Sequence, residues 1–216
     1  MKNTLTLALI LISSTLIGCQ NLYYSTMETF GYHKRDLLVS RVKDARDAQE
    51  NAKEQFKSAL EKFSEVTDFK GGKLEAKYNE LNTELEKSES KAKAVRKRIA
   101  DVESVAKALF DEWKSELDQY SNEKLRRASE QKLDQTRQRY SYLIGAMKRA
   151  ETKIEPVLVA FRDQVLFLKH NLNAQAIASL QSELASVEAD IASLIKEMEA
   201  SIAEADAFIQ AMANPA

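Results

Sequence analysis

"KLEAKYNELNTELEKSESKAKAVRKRIADVESVAKALFDEW", residues 73–113, decides the fold. Leu74, Tyr78, Leu81, Leu85, Ser88, Ala92, Val95, Ile99, Val102, Ala106, Leu109 and Trp113 recur at alternating spacings of four and three. Residues so spaced share one face of an α-helix, and the charges between them fall on the other. The next in-phase positions are Glu116 or Leu117 and then Tyr120. At 1.5 Å per residue the helix is about 70 Å long, too long to be the core of a compact globule. It requires partner helices of similar length.

The same rhythm runs upstream. Leu38, Val42, Ala45, Gln49, Ala52, Phe56, Ala59, Phe63 and Val66 form a stripe in which only Gln49 is not apolar. This predicts a helix over about residues 34–68, ended by the Gly71-Gly72 pair in a turn. Downstream, the step from Tyr120 to Leu125 leaves the stripe, and Ser121-Asn122 can cap a new helix. That helix carries Leu125, Ala128, Tyr140, Leu143, Met147, Ala150, Ile154, Val157, Phe161, Val165 and Leu168. Pro156 lies inside it, but the phase passes through, so a kink is expected and not a reversal.

Near "LKHNLNAQAI", residues 168–177, two readings stand. Asn171 can take a left-handed cap, Asn173 can cap the next helix and Leu172 can staple onto Ile177, giving a turn. Alternatively one helix runs on, since Leu168, Leu172, Ala176 and Leu180 also share a face. The last helix carries Leu180, Leu184, Val187, Ile191, Leu194, Met198, Ile202, Ala205, Ile209 and Met212, and stops at Asn214-Pro215. Residues 121–170 hold eleven Lys or Arg and six acids, whereas residues 174–216 hold one Lys and seven acids. Opposite charge and a short link favour antiparallel packing of these two helices. The fold class is all-α: an elongated antiparallel bundle of long, coiled-coil-like helices over residues 34–214.

The formal net charge of −1 argues against nucleic-acid binding, which usually needs a basic domain. Charged residues make up 30% of the chain, with five Gly and two Pro, as long helices require.

The beginning of the chain is different. Lys2 precedes an apolar run, Thr4 to Ile17, that is too short for a permanent span, and the run reads as a signal peptide over residues 1–18. It ends in Leu16-Ile17-Gly18-Cys19. This resembles the lipobox of bacterial lipoproteins. The resemblance implies cleavage between Gly18 and Cys19, acylation of Cys19 by diacylglycerol and an amide-linked chain such as palmitate, and anchoring without a span. Gln20, where Asp would favour inner-membrane retention, implies the periplasmic face of the outer membrane. A catalytic Cys19 would need a general base and an orienting partner, and would not end a signal-peptide core.

Residues 19–33 form a connector. Tyr23, Tyr24, Phe30 and Tyr32 lie close to Cys19, followed by Lys34 and Arg35. Aromatic rings favour the headgroup region, so one reading is a membrane-proximal segment with a basic collar. The other is a strap packed on the bundle end. "FGYHKRDLLVSRVKDARDAQE" and "DQVLFLKHNLNAQAIASL" resemble a proteobacterial family of uncharacterised helical lipoproteins, catalogued as a domain of unknown function. That resemblance implies no catalytic or binding residues.

No constellation carries a chemistry. Gly71-Gly72-Lys73 lacks the rest of a phosphate loop: no strand precedes it, and Leu74 stands where Ser or Thr would be. Phe30 and Phe167 lie three residues before His33 and His170, so the Glu-x-x-His pattern of di-metal bundles is absent. The basic run Lys91 to Arg98 reads as a solvated face, or else as a contact for an acidic partner. Phe110, Trp113, Tyr140 and Tyr142 read as interhelical packing. The expectation is a non-enzymatic envelope lipoprotein with a structural or adaptor role. It has no cofactor, no metal, and neither a small-molecule substrate nor nucleic acid as partner. Partner contact or self-association would run through its helices. The alternative is a membrane-binding or membrane-shaping module acting through the aromatic segment and the basic face.

Overall fold

A computed structural model describes residues 33–213, and all their regular structure is helical. Helix α1 is Lys34–Thr67, α2 is Leu74–Glu116, α3 is Glu123–His170 and α4 is Ala174–Ala213; a 3₁₀ turn, Leu117–Gln119, follows α2. Each helix packs on its sequence neighbours, and α1 closes on α4, giving an up-down-up-down four-helix bundle.

The predicted stripes of α1 and α2 face the core. Leu38, Val42, Ala52, Phe56, Phe63, Val95, Ile99 and Val102 are fully buried. Phe63 of α1 reaches diagonally across the bundle to Phe161 of α3, edge to face at 6.2 Å. Gln49, the one polar member of its stripe, is buried and accepts a hydrogen bond from Ser201 of α4.

The turns follow the expected residues with altered geometry. Asp68 ends α1 without a left-handed residue, and its N–H donates to the Ser64 carbonyl. The positive φ angles lie further on, +157° at Gly71 and +120° at Gly72, where a side chain would be strained. Gln181 of α4 donates to the Thr67 carbonyl at 2.7 Å, satisfying an end group of α1 from another helix. Asn122 caps α3: its Oδ1 accepts from the N–H groups of Lys124 and Leu125.

Helix α3 continues through Pro156 without reversal. The proline removes the donor that would serve the Thr152 carbonyl, and both residues are exposed, which leaves that carbonyl at the surface and not in the core. Residues 171–173 form a turn, which excludes the continuous helix. Asn173 Oδ1 accepts from Ala176 N–H at 3.0 Å. Asn171, at φ −134° and ψ 62°, is not left-handed; its side-chain amide donates to the Phe167 carbonyl instead. Leu172 remains exposed, so it is no staple.

Two stretches of stripe shift. At the start of α3, Leu125 is 55% exposed and Ala128 is exposed, while Leu133 and Thr136 are buried. The four-three rhythm there runs through Arg126, Ser129, Leu133 and Thr136, so its polar members hid it. Near the end of α4, Ser201 and Phe208 take the core positions, and Ile202 and Ile209 are half-buried.

Candidate functional site

The helices set a common axis. Lys34 pairs with Glu112 at 2.6 Å, Arg46 with Asp206 at 2.9 Å, and Phe110 stacks edge to face on Tyr140 at 5.4 Å. The start of α1, the end of α4 and the α2–α3 connection therefore share one end, the proximal end. The α3–α4 turn and the Gly71-Gly72 turn lie at the distal end.

At the proximal end the first residues of α3, Glu123 to Lys132, hold no buried side chain and form a largely exposed spur about 15 Å long. Trp113 Nε1 donates to Ser129 Oγ at 2.8 Å and ties the spur to α2. Arg137 lies over the Phe110 ring at 5.5 Å and donates to the Phe110 carbonyl. Burial, with Glu103 nearby, pushes the Tyr140 hydroxyl up to about 12. Glu123, bonded by Arg126 and Arg127, is held down to about 2. Tyr120 and Leu125 stay exposed at the spur tip. The expected packing role holds for Phe110, Trp113 and Tyr140, which are buried or half-buried; Tyr142 is 61% exposed.

Lys34 and Arg35, the predicted collar, are engaged within the bundle. Lys34 holds Glu112, and Arg35 donates to the Met212 carbonyl. Gly18, Cys19, Tyr23, Tyr24, Phe30 and Tyr32 lie outside the described residues, as does Asn214-Pro215. His33 begins α1 through its carbonyl, which accepts from Asp36 and Leu37 N–H, and His170 is an exposed last residue of α3. In the basic run, Arg96 pairs with Glu155 of α3, Arg98 with Asp44 of α1, and Lys97 with Asp101.

At the distal end, Val159, Leu166, Phe167 and Leu172 are exposed apolar residues on the last turns of α3 and the following link. Between Asp163 and Glu183 there is no acid, while Lys169 and His170 sit among these residues.

Sequence reading missed a third feature. Glu183, Asp190, Glu197 and Glu204 recur every seven residues on the flank of α4 beside α3. Glu197 pairs with Arg149 at 3.6 Å. Glu204 shares an open groove of about 240 Å³ with Arg139, Tyr142, Ala207, Phe208 and Ala211. The sevenfold period was the available signal.

Among the described residues, no group of His, Cys, Asp or Glu has the arrangement of a metal site, and no helix is long and apolar enough to cross a membrane. No curated protein and no solved structure matches the chain. Residues 23–212 match the family described as "Protein of unknown function (DUF2959)", and the match takes in both the helices and the aromatic stretch from Tyr23. The chain is a member of the DUF2959 family, built as an all-α four-helix bundle.

Proposed function

We propose that the chain is a non-enzymatic, lipid-anchored adaptor or structural protein of the cell envelope, held through Cys19 at the periplasmic side, on the outer membrane. One observation carries this reading. The helical rod starts and closes at its proximal end, while Val159, Leu166, Phe167 and Leu172 are exposed near the other end. An anchor joined to Lys34 by a short connector would hold the proximal end at the membrane. It would present the distal apolar cluster some 50 Å away, about the length of α1. Exposed apolar residues grouped in this way mark contact surfaces.

The anchor is tested by mass spectrometry of the amino terminus of chain recovered from membranes. Residue 19 as an acylated first residue is expected; an unmodified Cys19 or a retained leader overturns the anchor. The adaptor role is tested by a photo-crosslinking side chain at Leu166 in cells. One reproducible protein adduct, missing when the probe stands at Lys107 instead, is expected. No adduct at Leu166 overturns it.

The second reading, a membrane-acting module, is favoured by Tyr120 and Leu125, exposed on the spur at the end that the anchor would hold. The Cys19→Ser chain would then float with liposomes. Under the adaptor reading it stays in solution. The use of Lys34 and Arg35 inside the bundle weighs against a basic collar for headgroups.

A further inference from the structure

The α3–α4 face is self-complementary, and we propose that it is the interface of a parallel homodimer. Going beyond the adaptor reading, this names the occupant of one face as a second copy of the chain.

The argument starts from charge. The flank of α3 beside α4 carries Arg139, Arg149 and Lys153, and its one acid, Asp163, lies two heptads beyond Arg149 at the level of Glu183. The matching flank of α4 carries Glu183, Asp190, Glu197 and Glu204. Of these flank residues, Arg149 and Glu197 alone join in an ion pair among the described residues; Arg139, Lys153, Glu183, Asp190 and Glu204 join in none there. The other acids of α4 that find partners do so on its opposite side: Glu199 with Lys53 and Asp206 with Arg46 of α1. From Arg139 to Lys153 one helix thus presents cations, and from Asp190 to Glu204 its neighbour presents acids, side by side on one surface.

Symmetry selects the arrangement. A two-fold axis parallel to the bundle places α3 of each copy on α4 of the other, so cations meet acids twice. A two-fold axis perpendicular to the helices within the face places α3 on α3 and α4 on α4, so like charges meet. Only the first is favourable. It also leaves both proximal ends on one side, as two anchors in one membrane need.

Shape agrees. Arg149–Glu197 and the groove shared by Tyr142 and Ala207 fix which levels of α3 and α4 face each other. In the parallel dimer Tyr142 of the second copy arrives at that groove, whose floor of Ala207 and Ala211 leaves room for a ring. At the same register Arg139 of one copy meets Glu204 of the other, and Lys153 meets Asp190. Phe167 arrives near Ser179 and Ser182, which are small and exposed. A face about 60 Å long and 20 Å wide presents on the order of 1,000 Å² per copy, against about 800 Å² for a standard interface.

The test is a charge exchange in the full chain carrying Cys19→Ser, read by sedimentation equilibrium. The first variant is Arg139→Glu with Lys153→Glu, and the second is Asp190→Lys with Glu204→Lys. The parent chain should dimerise. Each variant alone should dissociate at least about tenfold more readily, because its two contacts per half change from attraction to repulsion. The two variants mixed should associate again, since the acidic α3 of one then meets the basic α4 of the other. Restoration on mixing is specific to α3 lying on α4. A monomeric parent at about 100 µM, variants that dimerise like the parent, or a mixture that stays monomeric each overturn the proposal. Should a reversal lower the helical circular dichroism, Lys153→Gln and Asp190→Asn probe the same contact: weaker dimerisation supports the interface and unchanged dimerisation overturns it. None of these outcomes bears on the Cys19 anchor or on the distal crosslink.

Discussion

Ser201 donates its hydroxyl to the Gln49 side-chain oxygen at 2.8 Å, across the α1–α4 seam, and neither residue reaches solvent. The Gln49 amide nitrogen has no hydrogen-bond partner among the described residues. A buried polar pair in an apolar seam fixes register, because sliding either helix leaves both groups unpaired. Ser201→Ala should therefore destabilise the bundle by about 1–3 kcal/mol, the cost of orphaning Gln49. Gln49→Leu combined with Ser201→Ala should be neutral or stabilising, since both polar groups go together. Urea unfolding of the two variants checks this; a double variant weaker than Ser201→Ala would refute it.

The second polar cluster of the core responds to pH. Glu84 is buried between α1 and α2, where it accepts from Gln55 at 2.6 Å, Lys87 at 2.8 Å and Ser58 at 3.2 Å. Burial alone would raise its pKa, but these three bonds outweigh burial and lower it. A carboxylate with a depressed folded pKa contributes stability that is fully present above its unfolded value of 4.5 and is lost as pH falls through the folded value. Glu84→Gln should flatten the decline in stability below about pH 4.5. Melting temperatures of both chains across pH 7 to 3 measure it, and parallel curves would contradict the assignment.

The spur depends on its cap. Asn122→Ala removes the acceptor for two N–H groups and should cost about 1 kcal/mol, whereas Asn122→Asp should be tolerated. The loss should be local: faster amide exchange over Lys124–Arg127 with the core unchanged. Ser129→Ala should shift the fluorescence of Trp113, the only tryptophan, by removing the acceptor of its indole N–H. Unchanged emission would place that bond in doubt.

The diagonal pair Phe63–Phe161 ties α1 to α3 across the core. Phe161→Ala should cost about 3–5 kcal/mol, and Phe161→Leu distinctly less, because the cavity is smaller. Equal losses would mean that the ring's edge-to-face geometry dominates over the volume that it fills.

How far the sequence could be read depends on which residues carried the period. Where the stripe is apolar, as from Leu38 to Val66 and from Leu74 to Trp113, every position faces the core. Where polar residues hold the phase, as at Arg126, Ser129 and Ser201, the eye moves to neighbouring apolar residues and lands on Leu125 or Ile202. The charge imbalance of α3 and α4 was visible in composition, but its use was not. It supplies one ion pair between them, while α2 and α3 share Arg96–Glu155, Lys148–Glu103 and Arg162–Glu89. Helix order and turn positions follow from local residues, whereas which face stays open depends on how four helices close.

The bond from Arg35 to the Met212 carbonyl means that the two termini of the helical body are neighbours. The chain can therefore be rewired: a short linker from Ala213 to Lys34 and a new opening at Gly71-Gly72 would keep every helix intact. Such a permutant would carry the leader and anchor that we propose at the opposite tip. Turning the rod end for end on that proposed anchor, without altering any face, would then tell which end the cell needs pointing outward.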